Sequence, residues 1–300
     1  MLYVTGITGH SGRWFIERLV NENYQDKIRC AVRADSDTAF IDSSGLDIEK
    51  AIGDLNDQEF LTASMAGCNT VLHIASIYYS ENIVNAALHN DIKWAILVHT
   101  TGRYSKYKSA SMEYIYIEER VLKKRNQIAI TVLRPTMIYG SFRDRNMYKL
   151  ISFLYKIKFF PVFGEGENLM QPVHARDLGN AYYDVILNRS VTLNKEYNLP
   201  GKKPLTYMHL VRIISHKLER KNIIVKIPLW ISILAARFYN ALDKRAIISV
   251  EQVLRMQEDK AFGYEDAMHD FGYSPISFED GIAEEVNEYL AKVNLGNSQK

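Results

Sequence analysis

The chain begins MLYVTGITGHSG, a short apolar run followed by glycines at positions 6, 9 and 12 and then an apolar-striped segment. Few patterns restrict a fold as tightly. Gly6 permits a tight turn out of a strand. Gly9 lets the backbone approach a ligand with no Cβ in the way, and Gly12 lets the next helix pack closely on the strand. The N-terminus of that helix presents free N–H groups and a partial positive charge to an anion. Strand, glycine turn and helix in this order are what a dinucleotide pyrophosphate requires, with Thr8, His10 and Ser11 in the same cradle.

The first half of the chain repeats that alternation. Apolar runs at 2–4, 28–32, 70–74, 95–99 and 128–133 read as strands, and 14–20, 59–65, 83–89 and 110–124 read as helices. Such alternation argues an α/β class: a doubly wound parallel sheet, Rossmann-type, with helices on both faces. After Tyr139-Gly140 the rhythm changes to helices at 148–156, 177–187, 207–218 and 278–290, with short strands at 196–199 and 223–226. We expect a dinucleotide-binding domain over 1–140 and a smaller mixed α/β C-terminal substrate lobe over 141–295. No Gly/Ser/Pro-rich linker divides them, so the lobe is expected to interleave with the first domain.

Charge excludes one class of partner. Thirty-seven Lys and Arg face 35 Asp and Glu, a net charge of +2 with no basic stripe, so nucleic acid is not expected. The two cysteines, Cys30 and Cys68, form neither a disulfide framework nor a metal site, which fits a reducing cytoplasm. The first strand starts at residue 2 and leaves no room for a leader. The stretch 227–242 is too short for a membrane span and is interrupted by Pro228, Arg237 and Asn240. It reads as a partly buried helix of the smaller lobe in preference to a membrane-surface helix.

Each predicted strand ends in small or polar residues, at the edge where ligands of such sheets sit. Arg33 closes the second strand, with Arg13 directly after Gly12. An arginine there suits the extra phosphate of NADP, whereas a carboxylate suits the ribose of NAD. Arg33 favours NADP, and the nearby Asp35 and Asp37 keep NAD open. Asp54 can accept from an adenine amino group with Leu55 covering the ring, and Ala75 and Ser76 are small enough for a cofactor to cross. His73 at a strand end is read as satisfying backbone groups and is given no acid/base role.

The series TGITGHSG, GDL, VLHIAS, VHTTG and LRPTMIYG, continued by QPVHARDLGNAYYDVI, EYNLPGKKPLTY and AMHDFGYSPISFEDGI, resembles the extended and atypical short-chain dehydrogenase/reductases. These are the epimerase/dehydratase relatives. The resemblance covers nearly the whole chain and lies in the order of motifs. It implies a bound nicotinamide dinucleotide, a substrate between two lobes and, by family habit, a homodimer. By position, Gly6, Gly9 and Gly12 match the phosphate loop, and Asp54 and Leu55 the adenine contacts. Ala75 and Ser76 match the second crossing, Thr100 and Thr101 the serine pair, and Arg134-Pro135 the segment leading to the nicotinamide.

In catalytic members a tyrosine transfers the substrate proton, beside a lysine four residues on that lowers its pKa. On a helix that spacing puts both side chains on one face. Tyr104 and Lys108 have the spacing, and Thr101 would orient the substrate oxygen. Yet Tyr104 follows Thr101 by three residues, where the family inserts a dozen or more. A second register, anchored on Glu119, puts Ser111 and Ile115 at the tyrosine and lysine positions, with Lys108 seven residues before Ile115, about 10 Å along a helix. Tyr114 has Glu118 four residues on, a charge that disfavours a phenolate. Two readings stay open: a shortened loop carrying Thr101, Tyr104 and Lys108, or a relay that has been lost, the latter favoured.

On the substrate side Arg143, Arg145, Asn146, Gln171 and His174 are candidates for phosphate or sugar hydroxyls, while Arg176-Asp177 reads as a helix start. The expected function is hydride transfer on a carbonyl/alcohol substrate, with a nucleotide-linked sugar as one candidate. The alternative is a non-catalytic NAD(P)-binding sensor or scaffold.

Overall fold

Strand β1 (Leu2–Thr5) is the spine of the molecule, buried at all four residues. The computed structural model describes residues 1–144, 146–234 and 250–297. Along β1 the side chains alternate between two cores, Leu2 and Val4 to one face and Tyr3 to the other. Both faces are therefore covered, as a parallel sheet demands.

The N-terminal strands continue with β2 (Ile28–Val32), β3 (Ile48–Ile52), β4 (Thr70–His73), β5 (Trp94–Val98) and β6 (Ala129–Pro135). Later come the short β7 (Ile138–Tyr139), β8 (Phe159–Phe163), β9 (Leu169–Met170) and β10 (Val173–His174), then β11 (Glu196–Leu199), β12 (Leu205–Thr206) and β13 (Ile223–Ile227). Seven of them form one sheet in the order β11-β6-β5-β4-β1-β2-β3. Every pairing in it is parallel. The order reverses between β1 and β4, which opens a crevice at their carboxyl ends.

Helices α1 (His10–Asn21), α2 (Ala39–Asp42), α3 (Gln58–Ser64), α4 (Ser80–His89) and α5 (Lys108–Leu122) belong to the N-terminal half. The second half adds α6 (Met147–Lys156), α7 (Ala175–Leu187), α8 (Arg189–Thr192) and α9 (Tyr207–Lys217). Phe15, Ile16 and Leu19 of α1 pack with Leu178, Ala181 and Tyr182 of α7 over one sheet face. Leu61, Ile83, Val84 and Val121, from α3, α4 and α5, cover the other. Each such side chain contributes about 1.5–3 kcal/mol on burial. A third core, around Ile151, Val162, Ile214 and Ile282, holds the smaller lobe. Thus β11 and α7, from the second half of the chain, complete the first domain's sheet and one of its helical layers.

Six strands are absent from the pattern read above: β3, β8 and the two-residue β7, β9, β10 and β12. β3 reads Ile-Glu-Lys-Ala-Ile, a charged edge strand with no buried residue. β8 contains Pro161, which argues against a strand in sequence but is tolerated in a two-stranded ribbon. Of the stretch 227–242, residues 235–242 lie outside the described residues. Its described part, 229–234, is helical and partly buried, with Ser232 buried while Trp230 is 67% exposed. No helix among the described residues is long and apolar enough to cross a membrane.

Candidate functional site

Gly6 sits at φ +75°, a left-handed conformation that any Cβ would strain. A Cβ there would also lie 2.4 Å from the Ala75 backbone nitrogen, so the turn after β1 and the crossing after β4 touch main chain to main chain. At Gly12 a Cβ would fall 2.5 Å from the carbonyl oxygens of both Gly6 and Ile7. Gly9 is extended and forms the N-cap of α1, with no side chain capping the helix. The first-turn N–H groups of α1 are therefore free for an anion.

Beside this turn lies a cavity of about 210 Å³ whose lining includes Gly6, Thr8, Gly9, Arg33, Asp54 and Ala75. Ser36 and Leu55 also line it. Asp54 Oδ1 is engaged by the N–H and side-chain amide of Asn56. His73, at the end of β4, is buried and uncharged: burial holds its pKa down at about 3. Its Nδ1 is 2.6 Å from the Thr5 hydroxyl and its Nε2 3.0 Å from the Ser76 carbonyl. The ring thus pins the crossing that Ala75 and Ser76 form.

His10 and Ser11 turn their side chains elsewhere. Ser11 is buried against α7, 3.1 Å from the Tyr182 hydroxyl. His10 Nε2 meets the Ser141 hydroxyl at 3.0 Å, and burial together with Arg143 lowers its pKa to about 4. Only their main chain is left to the start of α1. His10, Arg13, Phe40 and Arg143 line a separate groove of about 430 Å³ along α1. Arg13 is paired there with Asp37 at 2.6 Å, which holds the Asp37 carboxyl below its ordinary range. Arg33 is largely exposed, 3.4 Å from Asp35.

A second cleft, of about 430 Å³, opens between the lobes and is lined by Thr100, Thr101, Tyr104, Tyr114, Arg255 and Lys260, among others. Thr100 caps the 3₁₀ turn Thr101–Tyr104 by accepting from the Gly102 N–H, and Thr101 donates to the Pro135 carbonyl. Tyr104 ends that turn, while Lys108 opens α5 after an extended Tyr107. The one-helix geometry expected of Tyr104 and Lys108 is therefore not formed, and Lys108 stands exposed. The second register fares no better: Ser111 is buried and bonded to the Tyr107 carbonyl.

Arg134 takes the place beside Tyr104. Its Nη1 donates to the Tyr104 hydroxyl at 3.2 Å. Behind it lies a buried ionic cluster. Glu118, fully buried, accepts from Arg134 Nε at 3.0 and 3.1 Å, from Arg103, and from His99 Nδ1 at 2.8 Å. Glu196 accepts from Arg134 and from Arg125. Three guanidinium groups thus face two carboxylates, one positive charge in surplus, and the Tyr104 hydroxyl adds a neutral acceptor for Arg134. His99 is kept uncharged, at about 3, by burial and by Arg134 and Arg103. Sequence spacing missed this cluster because its members come from the 3₁₀ turn, α5, β6, β11 and the loops that carry His99 and Arg125.

The substrate candidates are redistributed. Asn146 lines the cleft, but Arg143 lies in the α1 groove with Asp37 at 3.7 Å. Arg145 lies outside the described residues. Gln171 is buried, donating to the Gly201 carbonyl and accepting from the Phe262 N–H, so it sets the cleft wall and does not face it. His174 N-caps α7 and packs on Tyr139, while Asp177 in the first turn accepts from the Ile276 N–H. Missed by sequence were Arg255 and Lys260, whose acidic neighbours are occupied. Glu258 binds Ser105 and the Lys106 N–H, and Asp259 the Leu169 N–H.

Residues 3–94 match the model of the 3-beta hydroxysteroid dehydrogenase/isomerase family. The chain is 23% identical over 228 residues to an Escherichia coli O157:H7 N-acetyl-alpha-D-glucosaminyl-diphospho-ditrans,octacis-undecaprenol 4-epimerase, covering 64% of this chain and 68% of that protein. It is 22% identical over 232 residues to a decarboxylating sterol-4-alpha-carboxylate 3-dehydrogenase of Dictyostelium discoideum, covering 62% and 66%. A dTDP-glucose 4,6-dehydratase from Streptomyces venezuelae, solved with NAD bound, superposes with a TM-score of 0.76 over 98% of both chains at 16% identity. At that identity the likeness shows the fold.

Proposed function

Because the chain belongs to the extended and atypical short-chain dehydrogenase/reductases, the NAD-dependent epimerase/dehydratase relatives, we propose an NAD(P)-dependent oxidoreductase or epimerase acting on a carbonyl/alcohol pair. The observation that carries it is the glycine turn. Gly6 meets the Ala75 backbone where a Cβ would clash, and the uncapped start of α1 opens on the 210 Å³ cavity. These residues fit a dinucleotide: α1 amides for the pyrophosphate, Asp54 and Leu55 for the adenine, Arg33 and Ser36 at the ribose end. Arg33 and Ser36 support NADP as the preferred form, since both line the cavity and Arg13 is already paired with Asp37.

A bound nicotinamide supplies the hydride donor or acceptor. The chain's own part is proton transfer and orientation. The Tyr104 hydroxyl exchanges a proton with the substrate oxygen, and Arg134 stabilises the charge that develops on it. Thr101, whose own proton goes to the Pro135 carbonyl, accepts from a substrate hydroxyl at the cleft wall. Arg255 and Lys260 offer two cations to an anionic leader group, which supports a sugar carried on a nucleotide diphosphate. Both cysteines are free and buried, in keeping with a cytoplasmic setting.

The displaced Lys108 favours a second reading, a cofactor-binding sensor or scaffold without turnover. Titration with NADPH and NADH, followed by assay on UDP- and dTDP-hexoses, separates them. Binding with turnover supports the enzyme and binding alone the sensor; no binding of either dinucleotide overturns both.

A further inference from the structure

β8 and β13 run parallel with Ile223 opposite Phe159, Val225 opposite Pro161 and Ile227 opposite Phe163. Side chains alternate across a strand, so these six share one face of the ribbon, and all six are apolar. The other face, with Phe160, Val162 and Ile224, closes the core of the smaller lobe. On the outer face Phe159 is 56% exposed, Ile223 46% and Val225 43%, with Pro161, Phe163 and Ile227 half-buried. The chain then enters helical residues 229–234, where Trp230 and Leu234 are 67% and 60% exposed. Scattered exposed apolar residues are ordinary, but an all-apolar sheet face with half of its side chains exposed marks a contact surface.

Charge identifies the occupant. Because the strands are parallel, both enter the ribbon at the same end. Lys156 and Lys158 lead into β8 there, and Arg220 and Lys221 lead into β13. All four are exposed, and Glu219 is the single acid in the lead-in segments 156–158 and 217–222. We infer that this face docks on an anionic lipid bilayer: the ribbon's side chains enter the acyl boundary, Trp230 lies at the headgroup level, and the basic end contacts anionic headgroups. The six residues of this face include no acid, so the face itself gives a second copy no carboxylate for the basic end. At the far end of the ribbon Gln257 donates to the Phe163 carbonyl at 2.8 Å, next to Arg255 and Glu258 of the cleft wall. Docking would set the cleft beside the membrane. The inference stands apart from the dinucleotide reading, since it is measured with no cofactor present.

The test is flotation of the full chain with phosphatidylcholine vesicles, with and without phosphatidylglycerol, followed by the emission of Trp230. Trp94 is buried, which leaves Trp230 the most exposed of the three tryptophans whose emission can respond. We expect flotation with the anionic vesicles, a blue shift, and release by salt. Trp230→Ser with Leu234→Ser lowers partitioning about tenfold or more. Lys158→Glu with Lys221→Glu lowers it about fivefold per charge and removes the salt dependence. Dinucleotide titration and circular dichroism of both variants check that they are folded. Absence of wild-type flotation, equal flotation of the wild type and the charge variant, or a lipid-free dimer that Trp230→Ser dissociates would each overturn the inference.

Discussion

Arg134 donates to the Tyr104 hydroxyl at 3.2 Å, while Lys108, four residues after the tyrosine, begins a separate helix and faces solvent. The two cations thereby make opposite predictions. Tyr104→Phe should lower kcat by ~100-fold or more, the ordinary share of a general acid or base, and leave dinucleotide affinity unchanged. Lys108→Met should alter neither. Steady-state kinetics and cofactor titration on both variants check this, and a collapse of turnover in Lys108→Met alone would return the relay to the lysine.

The cluster behind Tyr104 is held together by Glu118. Glu118→Gln leaves Arg134 and Arg103 with an uncompensated buried charge, so we expect a loss of about 3–5 kcal/mol in urea unfolding. A loss under about 1 kcal/mol would mean that solvent reaches the cluster and screens it.

How far the sequence carried differs between the two halves of the site. The glycine turn is local, so its three positions, its strand and its helix were legible from spacing alone. Asp54, Leu55 and Ala75 line the cavity beside that turn, as the convergence of strand ends at one edge of a parallel sheet leads one to expect. The catalytic side was not legible, because the Tyr104–Lys108 spacing carries meaning only on a continuous helix, and Ser105–Tyr107 break it. His10 and Arg143 looked like ligand contacts by position. Their side chains instead meet Ser141 and Asp37, because which way a side chain points depends on packing that no local pattern records. Arg255 and Lys260 come from a segment more than a hundred residues away in sequence, which no local pattern connects to the cleft.

Gly6→Ala tests the turn itself. The left-handed φ and the Ala75 clash together should cost roughly 2 kcal/mol or more, read as a lower urea midpoint, with loss of dinucleotide binding. An alanine variant as stable as the parent would show that the turn can relax.

Glu285 gives the pH dependence. It is buried, bonded to the Gly140 N–H through one oxygen with the other unpaired, and burial with Asp144 nearby raises its pKa from 4.5 to about 8. The folded chain therefore holds this proton up to about pH 8, whereas the unfolded chain releases it near 4.5. The stability tied to it is full below 4.5 and is lost as pH rises through 8. Glu285→Gln, which mimics the protonated form, should flatten the decline between pH 5 and 8 in thermal or urea unfolding, both values being approximate bounds of that window. Parallel curves for the parent and Glu285→Gln would remove Glu285 from the account.

Arg33→Asp should shift preference from NADPH toward NADH, because it exchanges the partner of an extra phosphate for a partner of ribose hydroxyls. The ratio of the two dissociation constants is the readout. An unchanged ratio would take Arg33 out of the site.

The most direct test of the central claim is dinucleotide titration of Gly9→Asp against the parent. Gly9 is extended at the N-cap, where aspartate is a favoured helix cap, so α1 should survive while a carboxylate occupies the anion's seat. We predict that the parent binds NADPH and that the folded variant does not. Equal affinity in the two proteins, or no binding by the parent, would contradict the assignment of the glycine turn to a diphosphate.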